Sequence, residues 1–257
     1  MHGRQLAGVA AGLAVTVSAL GCRASEVSVG FSPEIGDRYE YHYEIDATIT
    51  RQLEGAEPEV IELDTELTAE QEVRATTRSG ARIRVTLTRE GGAPRTAVVL
   101  VDRAGSLRGV ELIEGLAASV FGIADAQALV PTHLDGPPDG PLEPGDRWTI
   151  DDGARHGHGR LVRLGVVDDE DVAVVRTSIT EELDESLTAG ASDSDVTGTL
   201  RAGSTTSYDL GDGAIRRSRS WSEGELDVLV APPPGVDAEP VGGTISFDVV
   251  VRVTRTG

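Results

Sequence analysis

Lysine is absent from this 257-residue chain, and all 23 basic residues are arginine. Mechanisms that need a lysine amine are thereby excluded. Cysteine occurs once, at Cys22, so no disulfide can staple the fold and burial alone must hold it together. A chain of this length buries roughly 70–75% of its unfolded surface, which allows a core without staples. No G-x-S-x-G, no H-E-x-x-H and no phosphate-binding glycine loop occurs. Positive charge is scarce as well: 43 acidic residues give a formal net charge of −20. That balance argues against a nucleic-acid partner, whose affinity comes from neutralising phosphates. It argues equally against a surface patch that grips anionic lipid. The expectation is a protein that is not an enzyme and uses no cofactor.

What is present begins with the first 22 residues. His2 and Arg4 give a short positive start, and Leu6 to Leu20 (LAGVAAGLAVTVSAL) carry no charge. A basic start, an apolar core and a small residue before a cut outline a secretory signal. The uncharged run is shorter than the roughly 20 residues of a spanning helix, and no later stretch is long and apolar enough to span. Gly21-Cys22 then resembles the lipobox of bacterial lipoproteins, in which a small residue precedes a cysteine that is lipidated and becomes the first residue of the mature chain. Ala19 and Leu20 depart from that pattern, which has Leu three places before the cysteine and Ala or Ser in the position before last. The resemblance implies a signal peptide over 1–21, lipidation at Cys22 and a tether over 22–35. Two or more acyl chains, at about 0.8 kcal/mol per buried methylene, anchor stably. The mature chain would sit at the bacterial membrane, on the periplasmic face or the cell surface. Arg23 stands where an aspartate would mark inner-membrane retention in some two-membrane bacteria, a lean toward the outer membrane or the surface.

Beyond residue 36 a period of two dominates. Tyr39, Tyr41, Tyr43, Ile45, Ala47 and Ile49 fall on one face of a strand, with Glu40, His42, Glu44, Asp46 and Thr48 on the other. Such alternation marks an antiparallel strand with one buried face. Ile61, Leu63, Leu67, Ala69 and Val73 repeat it, then Ile83, Val85 and Leu87, then the fully apolar Ala97 to Val101. Further strands are predicted over 146–150, 159–167, 172–182, 196–208, 214–230 and 244–255. Asp212-Gly213 marks a hairpin turn and 168–171 (DDED) another tight connection. Between 214 and 230 the buried parity changes from odd (Ile215, Trp221) to even (Leu226, Val228), which predicts a bulge near Gly224.

One stretch reads differently. In 108–129 the apolar residues Leu112, Ile113, Leu116, Ala117, Val120, Phe121 and Ala124 recur at offsets of three and four, the helical period. A single apolar helix over 109–128 is therefore expected, followed by a Pro/Gly-rich linker over 131–145. The segments EIGDRYEY (34–41) and EPGDRWTI (143–150) echo each other, each placing Gly-Asp-Arg before the aromatic that opens a strand. They are either a shared turn device or the openings of two related halves, 36–130 and 143–257, of a single β-rich domain over 36–257.

The fold expected from these signals is mainly β: a long, curved antiparallel sheet forming a half-barrel, with the apolar helix in its trough. A two-sheet β-sandwich is the alternative. The first arrangement resembles the open-barrel carrier lipoproteins that hold lipids or lipidated proteins between sheet and helix. It is also similar to uncharacterised bacterial lipoproteins in its anchor and strand openings. The resemblance implies a hydrophobic ligand in the trough; without one, the chain would be a structural or interaction lipoprotein of the cell envelope, with envelope proteins as partners.

Three clusters have side chains of the types that chemistry uses. His156 and His158 share a strand face but have no third ligand by sequence beyond Asp151 and Asp152. Asp193 and Asp195, with Asp168 to Asp171, lack the spacing and central glycine of a calcium loop. Arg216, Arg217 and Arg219, the one basic cluster in sequence, are expected to pair with nearby carboxylates. Cys22 is thus the only site residue expected, with no catalytic, cofactor or metal residue beside it.

Overall fold

The computed structural model describes residues 26–103, 105, 107–114, 136–138, 140–151, 153–189, 192–232 and 235–257. Thirteen strands run in chain order: β1 (Val27–Ser28), β2 (Arg38–Leu53), β3 (Glu59–Thr77), β4 (Gly80–Arg89), β5 (Arg95–Asp102), β6 (Leu107–Glu114), β7 (Pro141–Leu142), β8 (Arg147–Asp151), β9 (Arg155–Val167), β10 (Glu170–Ala189), β11 (Ser192–Asp209), β12 (Ile215–Val230) and β13 (Val241–Arg255). Eleven of them form one antiparallel sheet in the order β6-β5-β4-β3-β2-β13-β12-β11-β10-β9-β8, and β1 pairs with β7 in a two-stranded ribbon. The sheet is two meanders laid side by side, β2 to β6 and β8 to β13, joined where β13 pairs with β2. Strands β6 and β8 are its edges, so it is not closed.

The mainly-β expectation holds, but the central helix does not. The start of the expected helix, 109–114, lies in the edge strand Leu107–Glu114, which pairs with β5, and no described residue is helical. The rest of the expected helix, 115–128, lies outside the described residues. The physical reason is the open edge of β5. That strand is apolar on both faces, and an unpaired row of its N–H and C=O groups is satisfied by the next segment of chain, whatever that segment's own period. The two-sheet sandwich fails too, because the long strands share one continuous ladder.

The sheet curls. Phe31 N–H donates to Arg103 O after β5 (2.7 Å), and the next residue, Ser32, donates to Asp212 O in the β11–β12 turn (2.8 Å). Consecutive amides bring those two carbonyls within about 9 Å. In a flat sheet the five strand steps from β5 to β12 would part them by about 24 Å. Residues 27–32 thus lie in the mouth of the curl at this lower end. Val29 is buried there, and Gly213, at φ +72°, passes so close to Gly30 O that a side chain at 213 has no room.

Burial follows from the curl. Tyr39, Tyr41, Tyr43, Ala69, Val73, Ile83, Val85, Ala97 and Val99 from one meander share a core cluster with Leu161, Ala173, Val175, Tyr208, Ile215 and Val253 from the other. Toward the upper end the core fades. Within β3, Glu59 to Asp64 are exposed on both faces, whereas Thr65, Ala69, Gln71 and Val73 are buried.

The echoed segments have the same geometry. Asp37 Oδ2 accepts from Glu34 N–H (2.7 Å), and Asp146 Oδ2 accepts from Glu143 N–H (2.8 Å). Gly36 (φ +96°) and Gly145 (φ +106°) occupy conformations that favour glycine. Each turn then grips the second strand of its meander. Gly36 N–H donates to Val73 O and Val73 N–H to Asp37 O; Gly145 N–H donates to Leu161 O and Leu161 N–H to Asp146 O.

Candidate functional site

The inner, concave face is the candidate site. Its lower end holds a ladder of aromatic rings along β2: Phe31–Tyr39, Tyr39–Tyr41 and Tyr41–Tyr43 centroids are 6.3, 6.4 and 6.5 Å apart. Strand alternation puts the three tyrosines on one face, and Arg255 lies 4.7 Å from the Tyr39 ring centroid. Burial pushes the hydroxyls of Tyr39, Tyr41, Tyr43 and Tyr208 well above the ordinary phenol range. Around them sits a half-buried ion network. Arg216 donates to Asp209 Oδ2 from Nε (2.8 Å) and Nη2 (2.6 Å), and Arg255 approaches Asp209 and Asp212 at 3.7 Å. Burial works against the Asp209 charge, yet the Gly211 N–H, Arg216 and Arg255 outweigh it and hold the carboxyl below its usual value. This network fixes the β11–β12 turn; each of its charges has an opposite charge beside it.

Above the network runs a strip of hydroxyls. Thr177 and Ser204 are 2.8 Å apart across β10–β11, and Thr206 and Ser218 are 2.8 Å apart across β11–β12. Higher still the inner face turns apolar. Ile45, Ala47 and Ile49 on β2 stand in register with Val251, Val249 and Phe247 on β13 and, on the other side, with Leu63 and Ile61 on β3. Leu226 faces Ile245 on the same side of β12. The Phe247 ring lies across Gly224, leaving no room there for a side chain: an added Cβ would sit 2.7 Å from the ring. Ile61 and Leu63 are 44% and 43% exposed. A shallow, open depression of about 500 Å³ lies at the upper end, lined by residues including Leu53, Gly55, Asp227 and Gly243.

The residues singled out in sequence do not converge. Cys22 lies outside the described residues. His156 and His158 are on the outer face; His156 Nδ1 lies 3.2 Å from Asp151 Oδ1, and among the described residues no cluster of three metal-ligating groups forms. Asp168 and Asp169 (φ +51° and +66°) are the two central residues of the β9–β10 hairpin, the left-handed pair that tight hairpins need. Asp195 stands near the other end of the sheet and accepts from Ser186 Oγ (2.6 Å), so the two acidic groups never meet. Arg216 pairs with Asp209 and Glu170, and Arg217 with Asp168. Arg219, against expectation, forms no ion pair with a described residue.

The expected bulge is displaced. Register slips between Ser207 and Tyr208 opposite Arg216, while β12 and β13 pair without interruption through Gly224. Trp221 keeps its odd parity because it belongs to the outer face, where its ring covers Gly203.

No protein-family model matches the chain, and no curated protein matches it in sequence. Among solved structures, a loop L8 deletion mutant of OmpT, an outer membrane protein of Vibrio cholerae, aligns over 85% of this chain and 99% of its own at 10% identity, with a TM-score of 0.20. The trimer form of in-vitro folded OmpT aligns over 87% and 100% at 10% identity, with a TM-score of 0.21. Scores this low establish no common fold, and the chain is characterised by its own geometry: an open, eleven-stranded antiparallel sheet with a packed lower end and an apolar upper inner face.

Proposed function

We propose that this is a lipid-anchored, non-catalytic protein of the bacterial cell envelope that holds a lipid or another hydrophobic ligand against the upper inner face of its sheet. The observation that supports the ligand is the apolar floor of Ile45, Ile49, Ile61, Leu63, Phe247 and Val249, which continues the core upward while Ile61 and Leu63 keep over two fifths of their surface in solvent. Contiguous exposed apolar surface of this kind marks a binding face. Polar groups flank this floor: the hydroxyl strip at its lower border, Ser222 beside Val249 and the Arg51–Glu59 ion pair at its upper end, as in sites where a few polar groups orient an apolar ligand. The anchor rests on the uncharged run 6–20 and Cys22.

Native mass spectrometry of the protein extracted from its own membrane tests the ligand. An amphiphile should ride with the wild-type chain and be lost in an Ile49→Glu/Phe247→Glu variant, which places two charges on the floor. A bare wild-type mass would leave a structural lipoprotein with no cargo. The anchor has its own test: labelled palmitate should enter the wild type and not Cys22→Ser, and equal incorporation in both would overturn the lipidation.

A further inference from the structure

One row of the outer face sets arginine against arginine on neighbouring strands. Some arginines of the outer face stand directly opposite an acid on the next strand, as Arg38 faces Glu72 and Arg201 faces Glu223. In this row, however, Arg147 of β8 faces Arg160 of β9, which faces Arg176 of β10. Arg176 faces Thr205 of β11, Thr205 faces Arg219 of β12, and Arg219 faces Arg252 of β13, where the row ends on the acids Glu44 and Asp46 that pair with Arg252. Arg147, Arg160, Arg176 and Arg219 are exposed, and none of these four forms an ion pair with a described residue. Like charges directly opposite on neighbouring strands destabilise a sheet. Acids face acids across β2 and β3, as in Glu44–Glu66 and Asp46–Asp64, but among the described strands arginine faces arginine in this row alone, three times: Arg147–Arg160, Arg160–Arg176 and Arg219–Arg252.

We infer that this row is a binding strip for a linear anionic polysaccharide crossing the strands. The four guanidinium groups follow the strand spacing over about 19 Å. A small anion on these exposed side chains would meet two arginines at most and remain in water. A chain with repeated carboxylates or phosphates meets all four. The sugar is chosen by Trp221, two residues beyond Arg219 on the same face. Its ring lies over Gly203, whose missing side chain leaves the indole flat against the sheet, and the residue is 41% exposed. A flat, open indole beside a row of cations offers an apolar platform to a sugar ring and a counter-charge to its acid groups.

Polygalacturonate, inorganic polyphosphate and duplex DNA are the probes, titrated onto the purified chain over a range of salt. The wild type should bind polygalacturonate with a salt dependence that weakens by about two units of log–log slope in Arg160→Glu/Arg176→Glu. Trp221→Ala should lose affinity for polygalacturonate at least about tenfold while polyphosphate binding stays unchanged. Arg160→Glu alone keeps the test independent of folding. It places an acid between Arg147 and Arg176, so its melting temperature should hold or rise while polygalacturonate binding falls. The inference is overturned if the wild type binds no polyanion, if Arg160→Glu binds as well as wild type, or if polyphosphate or DNA binds as tightly as the sugar and ignores Trp221. Salt-sensitive self-association lost in Arg160→Glu, with no polygalacturonate binding, would overturn it in favour of a second copy of the chain.

Discussion

The lower and upper ends of this sheet are built from the same strands, yet one is a core and the other a surface. Along β3, Asp64 and everything before it is exposed, and within the next nine residues Ala69 and Val73 are fully enclosed. Pattern is not the difference, because Ile61 and Leu63 keep the parity of Ala69 and Val73. The difference is what the curl brings opposite. At the lower end β2 to β5 share a cluster with β9 to β13, and residues 27–32 plug the mouth. Alternation therefore specifies which face of a strand is apolar, and only the bend of the whole sheet decides how much of that face is dry.

The sharpest way to break this comparison is to cut one isoleucine in each zone. Ile83→Ala, at a site 1% exposed, should cost about 2–5 kcal/mol in denaturant unfolding. Ile61→Ala, on the same kind of strand but 44% exposed, should cost under about 1 kcal/mol. Equal costs would mean that the upper floor is as enclosed as the core, and would remove the ground for a ligand there.

The glycines under the aromatics sharpen it. A Cβ on Gly159 would sit 2.0 to 2.3 Å from the Trp148 ring at the lower inner face. Gly159→Ala should cost about 1–3 kcal/mol by overpacking and alter tryptophan fluorescence. A Cβ on Gly203 would meet Trp221 at 2.8 to 3.0 Å, but that ring is open to solvent and can lift. Gly203→Ala should cost less than about 1 kcal/mol.

Acid and base probe the two sides of the lower cluster in opposite directions. Asp209 has its folded value below its unfolded one, near 3.9, so its contribution is present above that pH and is lost as pH falls through the folded value. The stability gap between wild type and Asp209→Asn should be level above about pH 5, at about 1–3 kcal/mol, and close below pH 4. All four tyrosines of the chain have raised values, so their contribution is intact below about pH 10 and declines as pH rises above it, where only the unfolded chain ionises. Phenolate absorbance should appear together with unfolding, not before it. A gradual phenolate titration in folded protein would mean that this end of the sheet is open to water.

Much of this sheet was legible in the chain. The tyrosine face of β2, the Asp168-Asp169 and Asp212-Gly213 turns and the Gly-Asp-Arg openings are local, and each has one good physical solution. What escaped depends on register. Leu112 and Ile113 have helical spacing with later residues, but the unpaired edge of β5 claims them for a strand. Parity alone groups Trp221 with the buried Ile215, because it cannot show that Gly203 stands opposite the indole. Arg216, Arg217 and Arg219 stood out as neighbours in sequence, whereas the row of Arg147, Arg160, Arg176 and Arg219 is assembled by four strands and has no trace in any one of them.

The smallest expected effect separates the two meanders. Asp37 and Asp146 make the same contact to a backbone N–H, worth about 1 kcal/mol, and Asp37 accepts in addition a long bond from the Tyr39 hydroxyl (3.4 Å). Their turns hold different things. The Asp37 turn grips Val73 in the middle of the sheet, where opening needs the core to part. The Asp146 turn grips Leu161 beside β8, a five-residue edge strand with a neighbour on one side only. Asp37→Ala should therefore lower the global unfolding midpoint and leave β2 amides as protected as the rest of the core. Asp146→Ala should loosen β8 first, with faster hydrogen exchange at Trp148 to Ile150 and a nearly unchanged global midpoint. If exchange in β8 does not quicken, the edge strand is held by Trp148 packing over Gly159 and not by the turn that opens it.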